Sequence, residues 1–98
     1  MANRLRFHAL VVDDLIAATS WYDKISVELG NRFRAAVDER LDSIALNPKS
    51  YGLARGTIRA GMVRGFPYVI LFESDATTIT VLSIVHATSD PKKWDQRN

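Results

Sequence analysis

The side chains best suited to chemistry in this sequence are His86, Arg59 and Arg64. A histidine titrates near neutrality and can move a proton, and an arginine offers a fixed fork of donors to a phosphate oxygen. Together, such groups could hold an anion while a proton is transferred. His86 ends an apolar segment, a place from which a side chain can project into a groove. The plain alternative is a strand-end histidine that only hydrogen-bonds backbone. His8, beside Arg4 and Arg6, reads as a surface residue. Two histidines, no cysteine, and no HExxH or paired carboxylate spacing give a metal site little to stand on. GxxxxGK[ST], GxGxxG and GxSxG are all missing, so nucleotide binding and serine hydrolysis have no support and no cofactor is expected.

Charge distribution points to binding as the other option. The net charge is only +2, but it is unevenly spread: residues 1–50 carry seven basic and seven acidic side chains, whereas Gly52 to Phe72 carries Arg55, Arg59 and Arg64 with no acid. Such a strip suits phosphate or an acidic protein segment, although three arginines on an exposed strand are also an ordinary solvated face. A second candidate contact is the tail, where Lys92, Lys93, Trp94 and Arg97 follow the Asp90-Pro91 step. For Trp94 and Arg97 the alternative is docking of the tail itself, with the indole on a sheet and the arginine paired to Asp90 or Asp95.

The elements that must position these residues follow from periodicity. Arg4 to Val11 alternates and predicts a half-exposed strand with Leu5, Phe7, Ala9 and Val11 on one face. Asp13 is a suitable N-cap for a helix whose stripe is Leu15, Ala18, Tyr22 and Ile25, with Trp21 beside it. Ser26 can cap a second helix, in which Leu29, Phe33, Val37, Leu41 and Ile44 recur until Asn47-Pro48 stops it. Lys49 to Gly56 reads as loop and Thr57 to Val63 as a strand with Arg59 and Gly61 on one face. Phe66 to Phe72 is apolar almost throughout and predicts a central strand with Pro67 at its start. The polar turn from Ser74 to Thr77 joins it to a last strand, Ile79 to Val85. The expected fold is α+β: an N-terminal strand, an antiparallel helical hairpin, and a largely antiparallel three-strand meander completing one sheet. The 98 residues make one domain with no linker, and 47% hydrophobic with 24% charged content is that of a soluble globular protein. No apolar run is long enough to span a bilayer, and Met1 to Val12 lacks the features of a signal peptide, so a cytoplasmic protein with no membrane partner is expected.

An arginine ahead of Phe66-Pro67-Tyr68, then His86, Asp90-Pro91, Trp94 and Arg97, resembles the RelE/ParE toxin superfamily of plasmid stabilisation type. Asp14-Leu15, Tyr22, Ser26, Phe33, Leu41, Ile44 and Pro48 fall in the order of that family's helical half, so the likeness covers nearly the whole chain. It implies the toxin of a type II toxin–antitoxin system, held by a cognate antitoxin, as a homodimer or within a toxin–antitoxin hetero-oligomer. RelE-like members cleave mRNA on the ribosome with a cluster of lysines and arginines and a tyrosine near the C-terminus. Here His86 is followed by Ala87-Thr88-Ser89, and the last tyrosine is Tyr68. The sequence looks closer to the ParE branch, whose members bind DNA gyrase, and that function is expected here. Ribosome-dependent mRNA cleavage by His86, Arg59 and Arg64 is the alternative, and an inactive binding protein of toxin fold is the third.

Overall fold

The computed structural model describes residues 4–94 and 97 of the chain. Strand β1 (Arg4–Phe7) leads into helix α1 (Val11–Ile25) and helix α2 (Val27–Leu46). A short 3-10 turn (Pro48–Ser50) follows, then β2 (Leu53–Arg55), β3 (Ile58–Met62), β4 (Tyr68–Ser74), β5 (Thr78–His86) and a second 3-10 turn (Pro91–Lys93). The five strands form one sheet in the order β1-β5-β4-β3-β2, with β1 parallel to β5 and every other pairing antiparallel. Both helices pack on one face of it, giving the expected α+β fold. No helix among the described residues is long and apolar enough to cross a membrane.

Several boundaries differ from those periodicity suggested. The first strand stops at Phe7, because His8 Nδ1 accepts the Leu10 N–H and the His8 carbonyl accepts the Val11 N–H, which turns the chain into α1. Val11 therefore opens a helix and is buried under it. Asp13 is not the N-cap; it and Asp14 occupy the first turn, where the helix dipole favours acids. Ser26 caps α2 as expected, its hydroxyl accepting the Leu29 N–H at 3.0 Å, and its extended backbone reverses the chain between the helices. The segment read as loop contains β2, whose three residues are too few to show a period. Gly56, in the left-handed region at φ 57°, turns β2 into β3.

The sheet has two apolar faces. Under the helices, Phe33, Val37 and Ile44 of α2 pack with Ile70, Phe72, Ile79 and Val81, all essentially inaccessible. Gly61 lets β3 approach α2 closely, since a Cβ there would lie 3.1 Å from Ile44 Cδ1. The other face carries Ile58, Leu71 and Leu82, and these are closed over by Trp94 from the tail. Burying continuous apolar residues on both faces explains why β4 lacks alternation. At the hairpin tip, Asp75 Oδ1 accepts the N–H groups of Thr77 and Thr78, and those two bonds hold its carboxyl below the ordinary aspartate value.

Candidate functional site

A register shift in β5 sets the geometry of the C-terminal end. Phe72 pairs with Val81 but Leu71 pairs with Ser83, so Leu82 and Ser83 together oppose one residue of β4. This bulge changes the phase of the strand. Ile79 and Val81 face the helices before it, and Ile84 does so after it. His86, two residues further on, is thereby brought to the helical side against Tyr68, with ring centroids 5.5 Å apart.

The bulge also leaves backbone groups to satisfy, because β1 pairs with β5 only as far as Val81. Asp14 and Arg97 supply the partners. Asp14 Oδ2 accepts the Ile84 N–H at 3.2 Å and the Ser83 hydroxyl at 2.9 Å. Arg97 Nη1 donates to Asp14 Oδ2 at 2.6 Å and to the Leu82 carbonyl at 3.1 Å, while Nη2 reaches Asp14 Oδ1 at 3.3 Å. The two side chains are only 15% and 14% exposed. This network ties the tail to α1 and to β5. Asp90 starts the last turn by accepting the Lys92 N–H at 3.0 Å, and Trp94, 6% exposed, then drops onto the sheet.

Two of the residues singled out for chemistry, Arg59 and His86, do not converge. Arg59 pairs with Phe72 and His86 with Tyr68, so they lie four residues apart along β4 and on opposite sides of it, about 16 Å at ordinary strand rise and spacing. Arg59 donates to the Tyr51 carbonyl, which anchors the start of β2. His86 Nδ1 accepts the Thr88 N–H at 3.2 Å and lies 2.8 Å from the Thr88 hydroxyl. A backbone N–H can only donate, so Nδ1 carries the lone pair and the neutral ring holds its proton on Nε2. No carboxylate contacts His86 among the described residues. Arg64 sits on the β3–β4 turn and, with Arg40, Glu39 and Ser43, lines a shallow pocket of about 180 Å³. No group of three or more His, Cys, Asp or Glu among the described residues could hold a metal ion.

Of the residues considered for binding, Arg55, Arg64 and Lys92 are solvent-exposed, whereas Arg59, Trp94 and Arg97 are engaged within the fold. The side chain of Lys93 lies outside the described residues, as does Asp95, so the pairing considered for Arg97 is met by Asp14 instead. One feature escaped the residue-by-residue reading. Trp21 is 63% exposed and, with Ala17, Tyr68, Val85 and His86, borders a groove of about 370 Å³ between α1 and the end of the sheet. Its signal was present: a tryptophan one position off the apolar stripe of a helix must face solvent or a partner.

Comparison with known proteins matches this arrangement. No curated protein matches the sequence. A chain from the chromosomal ParDE TA system of P. aeruginosa superposes with a TM-score of 0.72 over 87% of this chain and 96% of that one, at 15% identity, which makes the fold the same. The family model described as the ParE toxin of type II toxin-antitoxin systems, parDE, matches residues 5–91. With that span of the sequence accounted for, the chain belongs to the ParE toxin family.

Proposed function

We propose that this chain is the toxin of a type II pair, silenced by a cognate antitoxin, and that it acts by binding DNA gyrase rather than by cutting RNA. The observation that carries this reading is the separation of His86 from Arg59. Phosphoryl transfer needs its cation and its proton donor within hydrogen-bond reach of one phosphate. Here Arg59 and His86 lie about 16 Å apart across β4 at ordinary strand rise and spacing, and Arg59 is spent on the Tyr51 carbonyl. The features that remain are those of a contact surface. Exposed tryptophan beside Tyr68 and His86 is the residue type that dominates protein interfaces, and the exposed Arg55, Arg64 and Lys92 supply charge for a rim. Trp94 and Arg97 act in this reading by holding the tail in place rather than by meeting the target.

Controlled expression in a bacterial host tests the reading. Growth should stop, and co-expression of the adjacent gene should restore it. Trp21→Ala should relieve arrest strongly, whereas His86→Ala should lower potency within tenfold, as expected for one contact among several. Loss of toxicity by several orders of magnitude with His86→Ala, together with cuts in ribosome-bound mRNA, would make the chain a nuclease. Absence of arrest at verified expression would leave an inactive binding protein of the same fold.

A further inference from the structure

We infer that the outer edge of β1 is a docking site for an extended segment of a partner protein in which acidic and apolar residues alternate. The two edges of the sheet differ in kind. At one, β2 is three residues long and its register shifts between Leu53 and Arg55, a common way of blunting an edge. At the other, β1 pairs regularly with β5 through four residues. The Arg4 and His8 N–H groups point inward to the Thr77 and Val81 carbonyls, so the backbone groups of Leu5 and Phe7 point outward, and no hydrogen bond engages them among the described residues. An unblunted edge of this kind is a template for strand addition.

Side chains define what would be added. Arg4 and Arg6 project on the face away from the helices, are exposed, and make no ion pair among the described residues. The acids nearest in register lie beyond β5, where Glu73 is bonded to Thr57 and Asp75 accepts the Thr77 and Thr78 N–H groups. Phe7, 51% exposed, projects on the helical side, where it borders an apolar groove of about 280 Å³ with Val12, Leu15, Val37 and Leu41. Asp38 stands on the rim of that groove and disfavours an acid there. A strand paired to β1 would therefore place carboxylates two residues apart opposite Arg4 and Arg6, with apolar side chains at the alternate positions opposite Leu5 and Phe7. A second copy of this chain fits poorly, because pairing β1 with β1 would set Arg4 and Arg6 against the same arginines. The proposal rests on the toxin reading only in taking the antitoxin as the source of the segment.

The probe is a capped synthetic peptide of alternating glutamate and valine, titrated into the isolated protein and followed by fluorescence anisotropy and by amide hydrogen exchange. Binding should slow exchange at Leu5 and Phe7, weaken with added salt, and fall at least tenfold in Arg4→Glu/Arg6→Glu. Phe7→Ser, at a position already half-exposed, should weaken it without changing the salt dependence. Arg64→Glu serves as the control and should bind as the parent does. No saturable binding at millimolar peptide, unchanged exchange at Leu5 and Phe7, or loss of binding with Arg64→Glu instead would overturn the proposal. A dimer formed by the free protein with those same amides protected would assign the edge to self-association. None of these readouts depends on growth arrest, so the edge can fail while the toxin reading stands, and the reverse.

Discussion

Removing Arg97 should release the tail and destabilise the whole domain, although the residue lies almost at the end of the chain. Arg97 and Asp14 are roughly 85% withdrawn from solvent, and their contact closes at 2.6 Å. Hydrogen bonds to charged groups contribute about 1.5 to 3 kcal/mol, and breaking a fully buried pair costs about 3 to 5, so this largely buried pair should cost about 2 to 3 kcal/mol. For a domain of this length that corresponds to a fall in Tm of roughly 10 to 20 °C. Asp14→Ala should cost more than Arg97→Ala, because it also leaves the Ile84 N–H and the guanidinium without their acceptor. Thermal melts of the two single variants and of the double variant complete a cycle, in which the coupling should exceed about 1 kcal/mol. If Arg97→Ala melted within about 2 °C of the parent, the pair would be behaving as an exposed surface ion pair and the latch would be refuted.

Three further outcomes follow from the same packing. Trp94→Ala should cost about 3 to 5 kcal/mol by uncovering Ile58, Leu71 and Leu82, read as the midpoint of urea unfolding; an unchanged midpoint would mean that the tail does not seal that face. Gly30→Ala should gain the usual helical advantage of about 1 kcal/mol only in an Asp23→Ala background. In the parent, the new Cβ would lie 1.6 Å from Asp23 Oδ1 and would displace the Asp23–Arg34 ion pair, so equal gains in both backgrounds would refute the clash. Burial, with a smaller push from Tyr68, raises the Tyr22 phenol above its ordinary value of 10.0. Its neutral form is thus favoured by folding, and the associated stability is complete below that ordinary value and is lost as pH rises through the raised one. Tyr22→Phe should flatten the alkaline fall in Tm, and an equally steep fall would place the effect elsewhere.

The parts of the fold legible in the sequence are those with a sustained period. The α2 stripe of Phe33, Val37, Leu41 and Ile44, the Ser26 cap and the apolar run of β4 each combine several agreeing signals. Strand β2 was not legible, because three exposed residues carry no pattern and are held by register with β3. The start of α1 was misplaced for a related reason: Arg4 to Val11 alternates throughout, and only the hydrogen bond from the Leu10 N–H to His8 shows where the strand ends. The bulge had a faint signature in the adjacent Leu82 and Ser83, where apolar and polar positions exchange phase. What no local pattern could supply was the pairing of Asp14 with Arg97, since the two are distant in sequence and are brought together by the parallel β1–β5 contact. That pairing turns Trp94 and Arg97 from candidate contacts into parts of the fold. It also means that deleting Lys92 to Asn98 would remove a structural clamp rather than only a binding surface.

The central claim is that the protein inhibits a target by binding it. Its most direct test is the supercoiling of relaxed plasmid by purified gyrase, with increasing amounts of the purified protein and with ribosome-bound mRNA assayed in parallel. The account predicts that supercoiling falls as the protein is added, recovers when the antitoxin is supplied, and is accompanied by intact mRNA. Undiminished supercoiling at saturating protein, with mRNA cut on the ribosome, would contradict it.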